Sequence, residues 1–277
     1  MDVTNAVLMS FSLCGSQINN SLVIKMKQKL ILIACTLIFS SCQSNRKVNI
    51  YDGFENSSLS KIWRTTKIVP GTFEIESSTI RAGKKAVKIT LHHGDQIDEE
   101  KGSVLERSEL MESRKLWSYD GLSYSYSFSI FIPKDFPIVP TRLVIAQWKQ
   151  RCPTETCVPE NPVIAIRYIN GELMVTHKVS QEQEKVLYQT TEDIRNKWLD
   201  FKFLIRFSRQ PDGRIIAWLN DQKIIDYQGI NAYPKAGGYP DKNRFYFKMG
   251  LYRDQMAEPM TIYIDEYSKQ LLKGDKF

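Results

Sequence analysis

The run Arg244-Phe245-Tyr246-Phe247-Lys248-Met249-Gly250-Leu251-Tyr252-Arg253 alternates apolar and functional side chains. A strand has a side-chain period of two, so Phe245, Phe247, Met249 and Leu251 share one face, and Tyr246, Lys248, Gly250 and Tyr252 share the other. The second face carries two phenols and an ammonium, with a glycine that leaves room for a ligand to lie flat. Two other segments repeat the design. Arg107 and Glu109 project to one side of residues 105–110, and Gln147 and Lys149 share a side of 144–149, opposite Ala146 and Trp148. Any one of these is also what the solvated face of a half-buried strand looks like. Together they combine cations, an amide and phenols, which suits an anionic sugar chain. Tyr252, Lys149, Arg107 and Gln147 are the candidate catalytic groups. Lys248, Tyr246, Glu109 and Arg253 are the candidate ligand contacts.

By their resemblance to the motifs of jelly-roll polysaccharide lyases, these residues imply the removal of a proton beside a carboxylate. Taking the C5 proton of a uronic acid and expelling the oxygen on C4 builds a second negative charge next to the first. A forked guanidinium and an amide, Arg107 and Gln147, can hydrogen-bond that carboxylate in two places. Preset electrostatic help of this kind is often the largest catalytic contribution. Tyr252 has a hydroxyl to protonate the leaving oxygen. With Lys248, Lys149 and Arg107 favouring its phenolate, it can also take the proton. Lys149 fits two roles, a base or a grip on a carboxylate or sulfate, and both stay open. Catalysis of this kind calls for no cofactor.

Positioning such pairs takes a sheet. Residues 86–91 and 124–132 alternate, and the latter puts Tyr124, Tyr126, Phe128, Ile130 and Ile132 on one face. Further strand-like runs are 163–169, 173–177, 201–207, 214–219, 223–227 and 260–267. Asn170-Gly171 and Asp212-Gly213 are hairpin turn signals. A brief helix is expected within 180–195. Many short strands with turn residues between them predict an all-β fold, a jelly-roll β-sandwich of two antiparallel sheets. A chain of 277 residues is long enough for one large domain of this kind, here 51–277. The formal charge of +7 is a modest basic bias, and no basic run or nucleic-acid motif accompanies it. Nucleic acid is therefore not an expected partner.

The N-terminus reads differently. Met26-Lys27-Gln28-Lys29 is a short basic start, residues 30–39 are apolar, and Ser40-Ser41-Cys42 follows. This is the layout of a secretory signal. Cys42 after small residues resembles a bacterial lipoprotein signal, with Cys42 as the lipidated first residue of the mature chain, although Phe39 departs from the commonest motif. Residues 1–25 read as an upstream start-site extension, 26–41 as the signal and 42–50 as a polar tether. The expected location is the outer membrane, reached through the lipid anchor alone. Beyond the signal, Cys152 and Cys157 are an isolated pair, which in an exported protein predicts a disulfide.

Arg107-Ser108-Glu109-Leu110, Gln147-Trp148-Lys149 and Tyr246-Phe247-Lys248-Met249-Gly250-Leu251-Tyr252 resemble, in order and approximate spacing, the motifs of jelly-roll polysaccharide lyases. The pattern is similar to glucuronan and alginate lyases and to the heparin lyase I family, over about residues 50–270. The resemblance implies a concanavalin-like jelly roll and β-elimination on a uronate-containing acidic polysaccharide, including sulfated, heparin-like chains. Lys149 stands where the family motif has His, and His92, His93 and His177 lie elsewhere. The competing reading is a jelly roll that binds acidic glycans without cleaving them. A glycoside hydrolase ranks last, because no strand shows the closely spaced acidic pattern it would need. In many jelly rolls the first and last strands are neighbours and hold a structural Ca2+. Glu55 and Asp265 are its candidate ligands, or else two surface carboxylates at strand ends.

Overall fold

A computed structural model describes residues 48–273, apart from 154–156, 159–160 and 181–183. The extension, the signal and Cys42 lie outside the described residues. In chain order the strands are β1 (Asn49–Asp52), β2 (Trp63–Arg64), β3 (Phe73–Glu76), β4 (Ala86–Leu91), β5 (Leu105–Glu112), β6 (Ser118–Tyr119), β7 (Ser123–Ile132) and β8 (Leu143–Gln150). They continue with β9 (Ile164–Ile169), β10 (Glu172–His177), β11 (Lys185–Thr190), β12 (Lys197–Arg206), β13 (Arg214–Leu219), β14 (Gln222–Gln228), β15 (Arg244–Asp254) and β16 (Met260–Leu271).

All strand pairs are antiparallel and form two sheets. The back sheet runs β14-β13-β12-β7-β16-β4-β3, with β1 beside β16. The front sheet runs β11-β10-β9-β8-β15-β5-β2, with β6 beside β15. Non-consecutive strands are neighbours throughout the centre of both, and the result is the jelly-roll sandwich that the alternation predicts.

The layer between the sheets is aromatic. Trp148 and Phe247 of the front sheet meet Phe203 and Phe128 of the back sheet, with ring centroids 4.6 Å apart for Trp148–Phe203 and 5.0 Å for Phe128–Phe247. Each fully buried phenylalanine contributes roughly 1.5–3 kcal/mol. By the two-residue period, fixing Trp148 inward turns Gln147 and Lys149 outward, and fixing Phe247 and Met249 inward turns Tyr246 and Lys248 outward. Packing thus sets the parity of the functional face.

Two ion pairs are buried in the same layer. Lys269 reaches Glu112 at 2.9 and 3.0 Å, with Tyr267 donating to the same carboxylate at 2.5 Å. Arg253 meets Glu106 at 2.7 Å. Arg253 was expected at the ligand face, and this is a correction: it follows Tyr252, shares the inward face of Leu251, and is fully buried against Glu106.

Two local expectations also change. The segment expected to hold a brief helix contains edge strand β11, paired along β10, where Val186 and Tyr188 favour a sheet over a helix. The tight turn of the β13–β14 hairpin is Asn220-Asp221, both at positive φ, as a two-residue hairpin of this type requires. Asp212-Gly213 instead sits in the longer loop between β12 and β13. Asn170-Gly171 makes the β9–β10 turn as expected.

Gly250 does not provide an open floor. Its φ is +146°, and a Cβ there would lie 2.3 Å from the Ser108 carbonyl oxygen on β5. It allows β15 and β5 to approach where the pairing of β15 with β8 shifts, between Met249 and Tyr252.

Candidate active site

The front sheet holds a cleft of about 360 Å³, and Arg107, Gln147, Lys149 and Tyr252 all line it. They come from β5, β8 and β15, which lie side by side. Tyr252 is the register partner of Arg107, and Lys248 that of Gln147. The Arg107 guanidinium carbon lies 3.8 Å from the centre of the Tyr252 ring, and that of Arg142 lies 4.6 Å away. Cations this close to a ring face are attracted by its quadrupole.

Glu109 and Lys248 lie beneath the lining rather than in it. Glu109 is fully buried and Lys248 is 3% exposed. Neither is among the residues that line the cleft, although Lys248 is no more buried than Gln147, which does line it. Glu109 accepts from Gln147 Nε2 at 2.5 Å and from Lys248 Nζ at 2.8 Å, and Arg107 Nε lies 3.3 Å away. Arg107 is held from its other end by Glu100 at 2.9 Å. One carboxylate therefore orients two of the cleft's candidate groups.

The charges of this buried pair respond differently to their surroundings. Burial opposes both. For Glu109 it is outweighed by Lys248, Arg107 and the hydrogen bonds it accepts, so its carboxyl is held below its ordinary value. Lys248 is pulled down to about 8, because burial and the nearby Arg107 and Lys149 outweigh the support of Glu109. The sign for stability follows. Between about 8 and the ordinary 10.5, the folded chain has released this proton and the unfolded chain still binds it. The contribution of Lys248 to stability therefore rises with pH through that window. A Lys248→Arg variant keeps its charge, so the stability advantage of the parent over it should widen from pH 8 upward. A difference that is flat across the window in denaturant titrations would contradict the assignment.

Tyr246 stands beside Lys149 in register and stacks on Trp117 at 5.0 Å, outside the cleft lining. His177 is buried, and its ring nitrogens meet the carbonyls of Val163 and Ile230. His92 and His93 are exposed beside Asp95 and Glu106. None of the three lines the cleft.

The expected calcium ligands, Asp265 and Glu55, both meet the 81–85 segment. Asp265 Oδ2 accepts from the backbone amides of Arg81 and Ala82 at 2.9 and 3.2 Å. Glu55 accepts from the amides of Lys84 and Lys85 at 2.9 and 3.3 Å. The two carboxylates hold the 81–85 turn through its backbone N–H groups. Among the described residues no group of three or more His, Cys, Asp or Glu is placed to hold a metal. The Cys152–Cys157 disulfide is formed, closing the loop after β8.

Two cleft cations were not anticipated from the sequence, Arg142 and Arg167. Arg142 has the opposite parity to Gln147 and Lys149. It reaches the same face because the pairing of β8 with β9 shifts between Val144 and Ala146. No residue type announces that shift. Arg167 carried a usable signal: it is a lone cation within an otherwise apolar strand-like run.

The polysaccharide lyase family profile matches residues 52–268, most of the chain. The chain belongs to the polysaccharide lyase family. The lyase is also similar in structure to the endo-β-1,4-glucuronan lyase of the fungus Trichoderma reesei, with a TM-score of 0.63 and 18% identity over 80% of this chain and 95% of that one. A second similar structure is alginate lyase A1-II', with a TM-score of 0.52 and 14% identity over 76% and 93% of the two chains. A third is alginate lyase AlgAT5 of Polysaccharide Lyase family 7, with a TM-score of 0.50 and 18% identity over 74% and 85%. No curated protein matches the lyase. At these identities the structural likeness establishes the fold. The family match, which spans the three motif segments, establishes the enzyme class.

Proposed function

We propose that the cleft cleaves a polyuronate by β-elimination. The observation that carries this is the meeting of Arg107, Gln147, Lys149 and Tyr252 in one cleft, with Arg107 and Gln147 both anchored on buried Glu109. The substrate carboxylate lies against Arg107 and Gln147. Gln147 retains one amide hydrogen beyond its bond to Glu109, and Arg107 has donors beyond its contacts with Glu100 and Glu109. Tyr252 takes the C5 proton and delivers a proton to the departing O4. One hydroxyl serving both ends requires both on the same side of the sugar ring. The guanidinium groups beside its ring stabilise the negative charge that collects there in passing.

Lys149 is placed to grip the carboxylate from the β8 side. Lys149→Ala is accordingly expected to raise KM by roughly tenfold or more while lowering kcat less. Collapse of kcat at unchanged KM, with partial recovery in Lys149→His, would assign it the base role instead.

Polyuronates rank above sulfated, heparin-like chains for a charge reason. Arg107 is paired with Glu100, Arg142 with Asp254 and Arg167 with Glu184. Such neutralised cations suit one carboxylate per sugar better than several sulfates. Glucuronan, alginate, chondroitin, heparan sulfate and heparin form the testing panel, read by ultraviolet absorbance of unsaturated ends. Glucuronan or alginate should outpace heparin, and the reverse order would overturn the ranking.

The apolar run at 30–39 followed by Cys42 supports export and anchoring of the mature chain by a lipid on Cys42, at the outer membrane. The Cys152–Cys157 disulfide agrees with an oxidising compartment. Cys42→Ser should release the lyase from the membrane fraction, and unchanged membrane association would refute the anchor.

A further inference from the structure

The back sheet carries a second trench on its outer face, on the opposite sheet from the cleft. Its cause is visible in β7, the strand at the centre of that sheet. The inward residues Tyr124, Tyr126, Phe128 and Ile130 alternate with Ser125, Ser127 and Ser129 on the outer face. Central strands usually carry β-branched, aromatic or long side chains at such positions. Serines leave a channel, and Ser268 of the neighbouring strand β16 widens it. The resulting space is about 400 Å³, open to solvent.

The floor and walls are held rigidly. Ser127 and Ser268 share a hydrogen bond of 2.7 Å across the floor. Ser129 donates to Asp200 at 2.7 Å, and Arg81 clamps the same carboxylate with two bonds of 2.9 and 2.8 Å. On the far wall Tyr51 donates to Glu266 at 2.5 Å. The Ser127–Ser268 pair keeps one hydroxyl hydrogen and lone pairs for a ligand. Two residues beyond Ser129 on the same outer face, Phe131 lies 5.6 Å from Trp198 and 5.9 Å from Tyr263, all three half-buried.

The charge distinguishes this trench from the cleft. The cleft lining gathers Arg107, Arg142, Lys149 and Arg167, with the three arginines paired to Glu100, Glu109, Asp254 and Glu184. The trench lining has Arg81 against Asp200 and Glu266. Beside the trench, Lys202 is the register partner of Ser127, and only the cleft gathers several cations, so a polyanion favours the cleft. Hydroxyls, carboxylate acceptors and flanking rings without surplus positive charge suit an uncharged polyol chain, whose hydroxyls donate to carboxylates and whose ring faces lie on aromatics.

We propose that the back-sheet trench is a binding site for a neutral polysaccharide, separate from the cleft. Such a site would hold the lyase on a mixed polymer matrix while the cleft works on its acidic component. It does not depend on the reaction assigned to the cleft. The test is affinity electrophoresis in native gels containing galactomannan, xyloglucan or mixed-linkage β-glucan, with glucuronan as the charged control. At least one neutral polymer should slow the protein. Ser127→Tyr, which fills the floor, and Trp198→Ala, which removes part of the aromatic row, should each weaken that retardation tenfold or more at an unchanged unfolding midpoint. Tyr252→Phe should leave it intact. No retardation by any of the three neutral polymers would overturn the proposal. So would full retardation of Trp198→Ala together with a folded Ser127→Tyr, or neutral binding that disappears with Tyr252→Phe. Should Ser127→Tyr fail to fold, Trp198→Ala alone decides.

Discussion

Tyr252→Phe should reduce turnover of a polyuronate by about 10²–10⁴-fold while leaving its binding nearly unchanged. The substitution removes one oxygen. The ring stays between β5 and the cleft, so its contacts with Arg107 and Arg142 survive. What is lost is the group that moves a proton between C5 and the leaving oxygen. Steady-state kinetics with separate binding measurements on the inactive variant would show the loss in kcat, with the dissociation constant within a few-fold of the parent. A comparable loss in binding would mean that Tyr252 grips the substrate rather than acting on it.

Glu109→Gln should destabilise the fold and disable the cleft together. The change leaves Lys248 buried without a counter-charge and loosens the anchors of Gln147 and Arg107. Removing one partner of a buried ion pair costs about 3–5 kcal/mol. Adding Lys248→Met removes the orphaned ammonium, so the double variant should recover much of the stability in denaturant titrations. It should not recover turnover, because Arg107 and Gln147 still lack their anchor. Recovery of both would reduce Glu109 to a stability element. Full activity in the single variant would show that the cleft does not need it.

The β15 run shows how far the sequence was legible. Its alternation correctly put Phe245 and Phe247 in the core and Tyr252 at the cleft, because the two-residue period is a property of the strand itself. The same period, applied to Arg253, predicts the inward face on which it is found. Function-like chemistry had suggested otherwise. Burial depth was not legible. Glu109 and Lys248 have the parity of the cleft lining but lie beneath it, and only the packing of neighbouring strands decides that. Arg142 was hidden for another reason. It depends on a register shift in β8, which no local residue pattern encodes. Gly250 was noticed for the right anomaly and the wrong cause, since the space it vacates is filled by the β5 backbone.

The account rests most directly on bond cleavage by elimination rather than hydrolysis. The decisive measurement is mass spectrometry of the oligosaccharides released from glucuronan or alginate in heavy-oxygen water. Elimination adds no water, so one product of each cut should carry an unsaturated end, lighter than a hydrolytic end by one water, and no heavy oxygen should enter at the cut. Saturated ends that incorporate heavy oxygen would contradict the account, as would a protein that binds these polymers and releases nothing from any of them.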